Sequence, residues 1–233
     1  MYLRKIISII IPCYNEEKTI GLVLKEIPSF VDEVVVVDNN STDKGPLIAE
    51  NYRKVFVVRE IVQGYGSAIK RGVLESSGDI VAIIDGDNQH YISDMTFLIN
   101  RLIDNNLDFI WGSRFPALKN QMSLSRSLGN LIQGLFFNLL FSVHVRDSQS
   151  GMMIFNKKEV LEKINISQLS NGMSFSEDIK ARVIFSGLKW QEKKINIKKR
   201  RDGPSKLRPL SDGIRNILHM FSILYDLKIR KNH

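Results

Sequence analysis

A run of five apolar residues, Ile-Val-Ala-Ile-Ile at 80–84, leads directly into Asp-Gly-Asp-Asn-Gln at 85–89. The run has the length and composition of a buried strand. Two carboxylates separated by one glycine follow it, and Mg²⁺ or Mn²⁺ binds one or two carboxylates together with phosphate oxygens and water. Gly86 has no side chain, so a ligand can approach the backbone there. A surface turn is the alternative. Ligands of open α/β sheets bind at strand ends, so this segment predicts a metal site.

Apolar strands alternate with helices through the first half of the chain. We predict strands at 6–11, 34–37, 55–58 and 80–84, and helices at 16–27, 47–52 and 67–76. Further along, the patterns predict strands at 109–112, 152–155 and 190–197, and helices at 95–105, 124–143, 158–164, 176–186 and 211–227. Continuous apolar strands separated by helices are typical of a parallel sheet covered on both faces. The predicted fold class is therefore α/β, with a mostly parallel central sheet flanked by helices.

Composition and charge limit the compartments and partners that this chain can have. Cys13 is the single cysteine among 233 residues, which excludes an internal disulfide framework and fits a reducing compartment. The net charge of +8 is uneven, because residues 181–233 hold 14 Lys and Arg against 4 Asp and Glu. This asymmetry favours an anionic partner such as phosphate, a membrane surface or nucleic acid. We expect no nucleic-acid partner, since no aromatic residues are interleaved with the basic cluster at 198–201.

Polar clusters also follow the first two predicted strands, at 12–17 (PCYNEE) and 38–43 (DNNSTD). Parallel strands end at one edge of a sheet, so these clusters should converge with the acidic segment at 85–89. Tyr14 could stack on a base and Asp38 could hydrogen-bond a base or ribose, although helix capping is the simpler role for such residues. A glycine-rich turn at 63–67 (QGYGS) precedes a helix, which suits either phosphate binding or a plain turn.

Seven segments in a fixed order carry a resemblance to a known family. They are IPCYNE at 11–16, VDNNSTD at 37–43, QGYGSA at 63–68, DGDNQ at 85–89, GSRF at 112–115, DSQSG at 147–151 and RRDGPSKL at 200–207. The chain from about Ile6 to Leu207 resembles an inverting family 2 glycosyltransferase of the GT-A (Rossmann-like) fold, and most resembles the dolichol- or polyprenyl-phosphate mannosyltransferases and glucosyltransferases. The resemblance implies metal-dependent transfer of a hexose from a UDP- or GDP-sugar to a dolichyl or undecaprenyl phosphate.

The resemblance also implies roles for individual residues. The nucleoside would be held by Pro12, Tyr14, Glu16 and Asp38. A divalent ion, Mg²⁺ or Mn²⁺, bridging the diphosphate would be surrounded by Asp85, Asp87 and Gln89, with Gly86 between the two carboxylates. The acceptor phosphate would lie near Arg114, helped by Arg126. A basic segment over the phosphates would include Arg200, Ser205 and Lys206. The turn beside the site would contain Asp147 and Ser150, and an acidic residue near the sugar would be Glu177 or Asp178.

A polyprenyl acceptor lies in a bilayer, so the enzyme must reach a membrane. We expect a catalytic domain at 1–210 and an amphipathic basic helix at 211–233 that contacts a membrane surface or a partner. Packing of this helix on the catalytic domain is the alternative. No stretch reaches about 18 uninterrupted apolar residues. We therefore expect a peripheral protein on the cytoplasmic face of a membrane, or one that relies on a separate membrane-spanning subunit.

The main alternative function keeps the donor and changes the acceptor to a hydroxyl of a glycan or protein. A phosphate monoester is already an anionic nucleophile and needs positioning more than a base. A hydroxyl needs a general base, for which Glu177 and Asp178 are candidates. His90 and His144 are weaker candidates, because single histidines are more often structural.

Overall fold

The computed structural model describes residue 2 and residues 4–115, 124–199 and 209–230. Its strands are β1 (Ile7–Cys13), β2 (Glu33–Asp38), β3 (Val55–Arg59), β4 (Ile80–Ile83), β5 (Phe109–Ser113), β6 (Met153–Asn156) and β7 (Trp190–Lys194). Its helices are α1 (Ile20–Glu26), α2 (Gly45–Glu50), α3 (Tyr65–Glu75), α4 (Ile92–Asp104), α5 (Leu124–Phe141), α6 (Lys157–Lys163), α7 (Phe175–Phe185) and α8 (Pro209–Arg230), with a 3-10 turn at Ile166–Gln168.

The strands form one sheet in the order β3-β2-β1-β4-β6-β5-β7. β6 is antiparallel to both of its neighbours, β4 and β5, and the other pairs are parallel. The prediction of a mostly parallel α/β sheet is therefore confirmed. Because β6 runs backwards, the residues before it arrive at the same sheet edge where β1, β2, β4 and β5 end. This edge is called the rim below.

Each face of the sheet has its own apolar core. Alternate β1 residues point to opposite faces: Ile9 and Ile11 pack with α1 and α4, while Ile10 packs with α3. The α3 side also includes α5, α6, α7 and α8, and contains the fully buried Trp111. Fully burying an isoleucine stabilises a fold by about 1.5–3 kcal/mol relative to exposing it. Continuous burial on both faces explains why these strands read as unbroken apolar runs.

Most predicted elements are present with shifted ends, and α1 shows why. The sequence pattern predicts a helix from residue 16, whereas α1 begins at Ile20. Asn15 has φ 53°, in the left-handed region, and residues 16–19 form a turn in which Thr19 N–H donates to the Glu16 carbonyl at 3.0 Å. The polar residues after β1 are therefore held in a rim turn instead of a helix.

Helices α5 and α8 pack together along one flank of the molecule. The buried side chains of Gln133 and Asn216 share a 3.1 Å hydrogen bond between them, and Phe137 and Met220 point into the core. Their outer sides expose ten large apolar residues at helical spacing, together called the apolar face: Leu128, Leu131, Ile132, Leu135, Phe136, Leu139, Ile214, Leu218, Phe221 and Tyr225. Among the described residues, no helix combines the length and apolarity that crossing a membrane requires.

Candidate active site

The carboxylate of Asp85 lies at the rim, directly after β4. Its side chain is 33% exposed, and its Oδ1 accepts a hydrogen bond from the Tyr65 hydroxyl at 3.1 Å. His90 lies behind it: Nδ1 accepts the Asp85 backbone N–H at 3.2 Å, and Nε2 is 3.7 Å from Oδ2. Nearby, Asp87 Oδ1 accepts the Gln89 backbone N–H at 3.1 Å. The turn after β4 therefore holds its carboxylates in place with one of them partly open to solvent.

Gly151 forms the wall opposite Asp85. A Cβ at this position would lie 2.5 Å from the Tyr65 hydroxyl oxygen and 3.0 Å from each oxygen of Asp85. Only glycine leaves room for the Tyr65–Asp85 pair. Burial, with the charges and hydrogen bond of the nearby carboxylates, raises the pKa of Tyr65 well above its usual value. Tyr65 is therefore a neutral hydroxyl that donates to Asp85.

The turns after β1 and β2 are bonded to each other, as the sequence predicts. Asn15 N–H donates to the Ser41 hydroxyl at 3.2 Å, and Asp38 Oδ1 accepts the Ser41 backbone N–H at 2.8 Å. Gly86, in the turn after β4, lies close to the end of β1, because a Cβ on it would be 3.1 Å from the Pro12 carbonyl oxygen. Of the nucleoside candidates, Pro12 and Asp38 lie at the ends of β1 and β2, and Tyr14 and Glu16 lie in the turn after β1.

The glycine-rich turn at 63–67 has a packing role. Gly66 N–H donates to the Gly172 carbonyl at 3.2 Å, and Ser67 N–H donates to the Asn171 carbonyl at 3.1 Å. A Cβ on Gly66 would collide with the Ser170 carbonyl oxygen. Of the two readings of this motif, the plain turn fits better, because these N–H groups at the start of α3 are used within the protein.

Arg114 and Asp147 form a two-point ion pair beside Asp85. Arg114 Nε donates to Oδ2 at 2.7 Å, Nη2 donates to Oδ1 at 2.9 Å, and the Arg114 backbone N–H also donates to Oδ2 at 3.0 Å. Burial alone would raise the pKa of Asp147, but Arg114 and Lys180 outweigh it and hold that pKa below its usual value. The bonds to Asp147 fix the orientation of the guanidinium, and 18% of the Arg114 side chain remains exposed.

The two acidic candidates on α7 lie beneath the rim. Glu177 is fully buried, and neither carboxylate oxygen has a hydrogen-bond partner in another described residue. Burial raises its pKa to about 8, so the buried carboxyl group is protonated at neutral pH. Asp178 accepts the Ser170 backbone N–H at 2.9 Å and an Arg182 Nε–H at 2.7 Å. Neither group is exposed as a free base in this arrangement.

A divalent ion would have two carboxylates here, from Asp85 and Asp87. The described residues contain no group of three or more His, Cys, Asp or Glu side chains that could enclose a metal on their own. The amide of Gln89, the third predicted ligand, donates to the Lys198 carbonyl at 3.4 Å. Two carboxylates, of which Asp85 is partly exposed, fit an ion that takes its other ligands from phosphate and water.

Four predicted site residues lie outside what can be described. Arg200, Ser205 and Lys206 are not among the described residues, and the side chain of Arg126 is not described. Their assignments stay predictions.

Three residues at the site were missed by sequence reasoning. Tyr65 lies within the glycine-rich turn at 63–67, where the sequence pattern points to the glycines and not to the tyrosine. Lys180 and Glu192 lie far along the chain and contact the 147–151 turn only after folding. The sequence offered no clear signal for Lys180, because α7 also carries Glu177, Asp178 and Arg182, and a lysine among charged residues is normally exposed.

The strand order and the carboxylate-bearing rim define a class of protein, the GT-A glycosyltransferases. The structure of glucosyl-3-phosphoglycerate synthase from Mycobacterium tuberculosis, solved with Mn²⁺, UDP and phosphoglyceric acid, matches with a TM-score of 0.74 over 96% of this chain and 78% of that one, at 19% identity. A family model described as glycosyl transferase family 2 matches residues 8–164. The chain belongs to that family, which confirms both the fold and the family predicted from the sequence.

Two curated relatives illustrate the range of similarity. An uncharacterized glycosyltransferase of M. tuberculosis is 39% identical over 111 residues, covering 48% of this chain and 50% of the relative. The UDP-N-acetylglucosamine–dolichyl-phosphate N-acetylglucosaminyltransferase of Methanococcus voltae is 31% identical over 176 residues, covering 66% of this chain and 70% of the relative. The chain thus spans about half the length of the mycobacterial relative that it matches.

Proposed function

We propose that this protein transfers a sugar from a nucleotide diphosphate sugar to a polyprenyl phosphate, with a divalent metal ion. The observation that carries the proposal is the rim geometry: Gly151 lies against the Asp85 carboxylate, and the Arg114–Asp147 pair is near enough for the Asp85 charge to act on Arg114. This arrangement puts a cation-binding group beside an anion-binding group. Family membership and the named acceptor of the M. voltae relative support the same reaction.

Asp85 and Asp87 are the residues that would hold Mg²⁺ or Mn²⁺. The Asp85 carboxylate is one-third exposed and is oriented by the Tyr65 hydroxyl, which leaves lone pairs for an ion. When bound, such an ion neutralises charge on a leaving diphosphate. Tyr65 keeps the carboxylate oriented and His90 holds the backbone of Asp85 from behind. The nucleoside would lie over the turns after β1 and β2, with Tyr14 and Asp38 as its contacts.

Arg114 would orient the acceptor phosphate. Its guanidinium is already aligned by Asp147, so little side-chain entropy is lost when an anion binds to the accessible part. A phosphate monoester carries its own negative charge and needs no general base. The burial of Glu177 and the internal bonds of Asp178 favour this acceptor over a hydroxyl, which would require an accessible base.

The apolar face of α5 and α8 would lie on the membrane that contains the acceptor. Its ten residues are exposed on two helices that pack together, and exposed large apolar patches mark interaction surfaces. Arg215 and Lys228 are exposed on α8 and would be drawn to anionic lipid. The same surface could accept a membrane-spanning partner subunit, which is the alternative occupant.

Lipid labelling tests the reaction. Purified protein is incubated with Mn²⁺ or Mg²⁺, a short polyprenyl phosphate and labelled UDP-glucose, UDP-N-acetylglucosamine or GDP-mannose. We expect label in the lipid extract with one donor, lost on adding EDTA or in Asp87→Ala, and kept in Asp104→Ala, which removes an exposed carboxylate at the end of α4. Labelling only of a glycan or protein hydroxyl would favour the alternative acceptor. Absence of nucleotide-sugar binding would refute the site.

Vesicle sedimentation tests the membrane contact. Leu218→Glu places a charge on the apolar face, at a side chain that is 65% exposed, and Leu74→Glu makes the same change on α3 at 62% exposure. We expect Leu218→Glu to lose binding to vesicles of 30% anionic lipid, while Leu74→Glu binds like wild type. Equal binding by the two variants would remove this face from the proposal.

A further inference from the structure

The turn at 146–151, which bears Asp147 and Gly151, is fastened from two sides. Glu192 on β7 accepts the backbone N–H groups of Arg146 and Asp147, each at 2.8 Å. Lys180 on α7 donates from Nζ to the carbonyls of residues 147, 148 and 150, at 3.3, 2.9 and 2.9 Å. An anionic group therefore binds the turn's donors and a cationic group binds its acceptors.

Lys180 is fully buried, which is costly for an ammonium group. Its Nζ lies 5.5 Å from the centre of the Trp111 ring, and its titratable neighbours are Asp147, Glu192, Glu177 and Arg114. Burial lowers the pKa of Lys180 to about 8. A methionine would fill a similar volume without this cost, but it would leave three carbonyls without their donor. The charged Lys180 ammonium group, with its N–H donors, therefore holds the carbonyls of the 146–151 turn in place.

The 146–151 turn contacts both Arg114 and Asp85, so it links Lys180 to each of these two side chains. At its start, Asp147 fixes Arg114 through two side-chain bonds. At its end, Gly151 lies against the Tyr65 hydroxyl and the Asp85 carboxylate. A shift of the turn by a fraction of an ångström would move Arg114 and press on Asp85 together. Misplacement of reacting groups by about 1 Å can cost about 100-fold in rate.

We propose that Lys180 is a positioning residue for sugar transfer, which sets the distance between Arg114 and Asp85 by holding the carbonyls of the 147–150 turn. The inference rests on the proposed function, because it assumes that both groups contact substrates. Lys180 acts through the turn and contacts no substrate itself.

The matched pair of variants is Lys180→Met and Lys157→Met. Lys157 also bonds a backbone carbonyl, that of Ser76, but at the edge of the sheet opposite the rim. Lys180→Arg, which keeps a charged donor, is the conservative variant. Each protein is compared by urea unfolding, by UDP affinity with Mn²⁺, by kcat and acceptor KM, and by hydrogen exchange of the 146–151 amides with UDP and Mn²⁺ present.

We expect Lys180→Met to lower kcat/KM for the acceptor by about 10- to 100-fold, while UDP affinity changes less than threefold and the 146–151 amides exchange at least 10-fold faster. Lys157→Met should keep wild-type kinetics and exchange, and Lys180→Arg should recover part of the loss. A double-variant cycle should give a smaller effect of Lys180→Met in an Arg114→Gln background, because the two residues act through one contact.

Two results would overturn the inference. One is a Lys180→Met protein whose kcat/KM and hydrogen-exchange protection of the 146–151 amides equal those of wild type. The other is a loss of activity in proportion to lost stability, with full additivity to Arg114→Gln, because that pattern describes a purely structural lysine. Should Lys180→Met not fold, the same kinetic and hydrogen-exchange comparison between Lys180→Arg and wild type decides. Failure of the proposed function is separate: wild type would then label no polyprenyl phosphate, while the exchange comparison would still report on the turn.

Discussion

Replacing Gly151 by alanine should impair the proposed metal site at Asp85 with little effect on the fold. The new Cβ would lie 2.5 Å from the Tyr65 hydroxyl oxygen, which must withdraw by about 0.9 Å to reach an ordinary 3.4 Å contact. Each Asp85 oxygen, at 3.0 Å, must withdraw by about 0.4 Å. The atoms displaced are the ends of two side chains, so we expect a loss of only about 1 kcal/mol in the free energy of unfolding.

The functional loss should be larger, because Asp85 is a proposed ligand of the metal ion and the Tyr65 hydroxyl orients Asp85. We expect kcat/KM to fall by about 30- to 100-fold. Calorimetric titration with UDP should show the effect in Mn²⁺ and not in EDTA, since the change is confined to the metal side of the site. Urea unfolding measures the stability of the same samples.

Gly129→Ala is the matched control, because the residue is within α5 and, apart from the adjoining helix itself, no atom of the described residues lies within 4 Å of its new Cβ. It should keep wild-type UDP binding and gain up to about 1 kcal/mol from helix propensity. Retention of Mn²⁺-dependent UDP binding and activity within twofold in Gly151→Ala would refute the proposed contact between Gly151 and the metal site. A similar loss of UDP affinity with and without Mn²⁺ would show that the substitution disturbs a part of the site that does not depend on the metal ion.

Three further predictions concern single groups. Tyr65→Phe removes the hydrogen bond to Asp85 and should weaken Mn²⁺-dependent UDP binding by about 5- to 10-fold, with calorimetry as the measurement and unchanged affinity as the contrary result. The pKa of Glu177 rises to about 8 on folding from an ordinary 4.5, so the folded protein holds a proton that the unfolded chain releases, and stability falls as pH rises through that window. Glu177→Gln should flatten this decline, seen by urea unfolding at pH 5 and pH 7.5. Parallel slopes would contradict it. Asp147→Asn leaves Arg114 without its ion pair and should cost about 3–5 kcal/mol, whereas a loss below 1 kcal/mol in urea unfolding would contradict a buried ion pair.

The α/β class followed from local sequence because burial on both faces of a parallel sheet forces continuous apolar strands. The same pattern placed Asp85 and Asp87 at a strand end. The sequence pattern did not predict the strand order. The antiparallel pairing of β6 with β4 joins residues more than 60 positions apart, such as Ile83 and Met153. Local preference carries no information about such long-range pairings.

Sequence by itself determined the α/β class, the acidic segment after β4 and the family of the chain, since each depends on short segments of consecutive residues and on their order. Tertiary structure alone decided how the rim is assembled. It turned the 63–67 glycines toward backbone carbonyls, placed Glu177 beneath the rim and set Lys180 under the 147–150 turn. The physical reason is that burial and hydrogen-bond partners depend on which segments meet in space. Residues such as Tyr65 and Asp85, 20 positions apart, become partners only when the sheet brings their elements together.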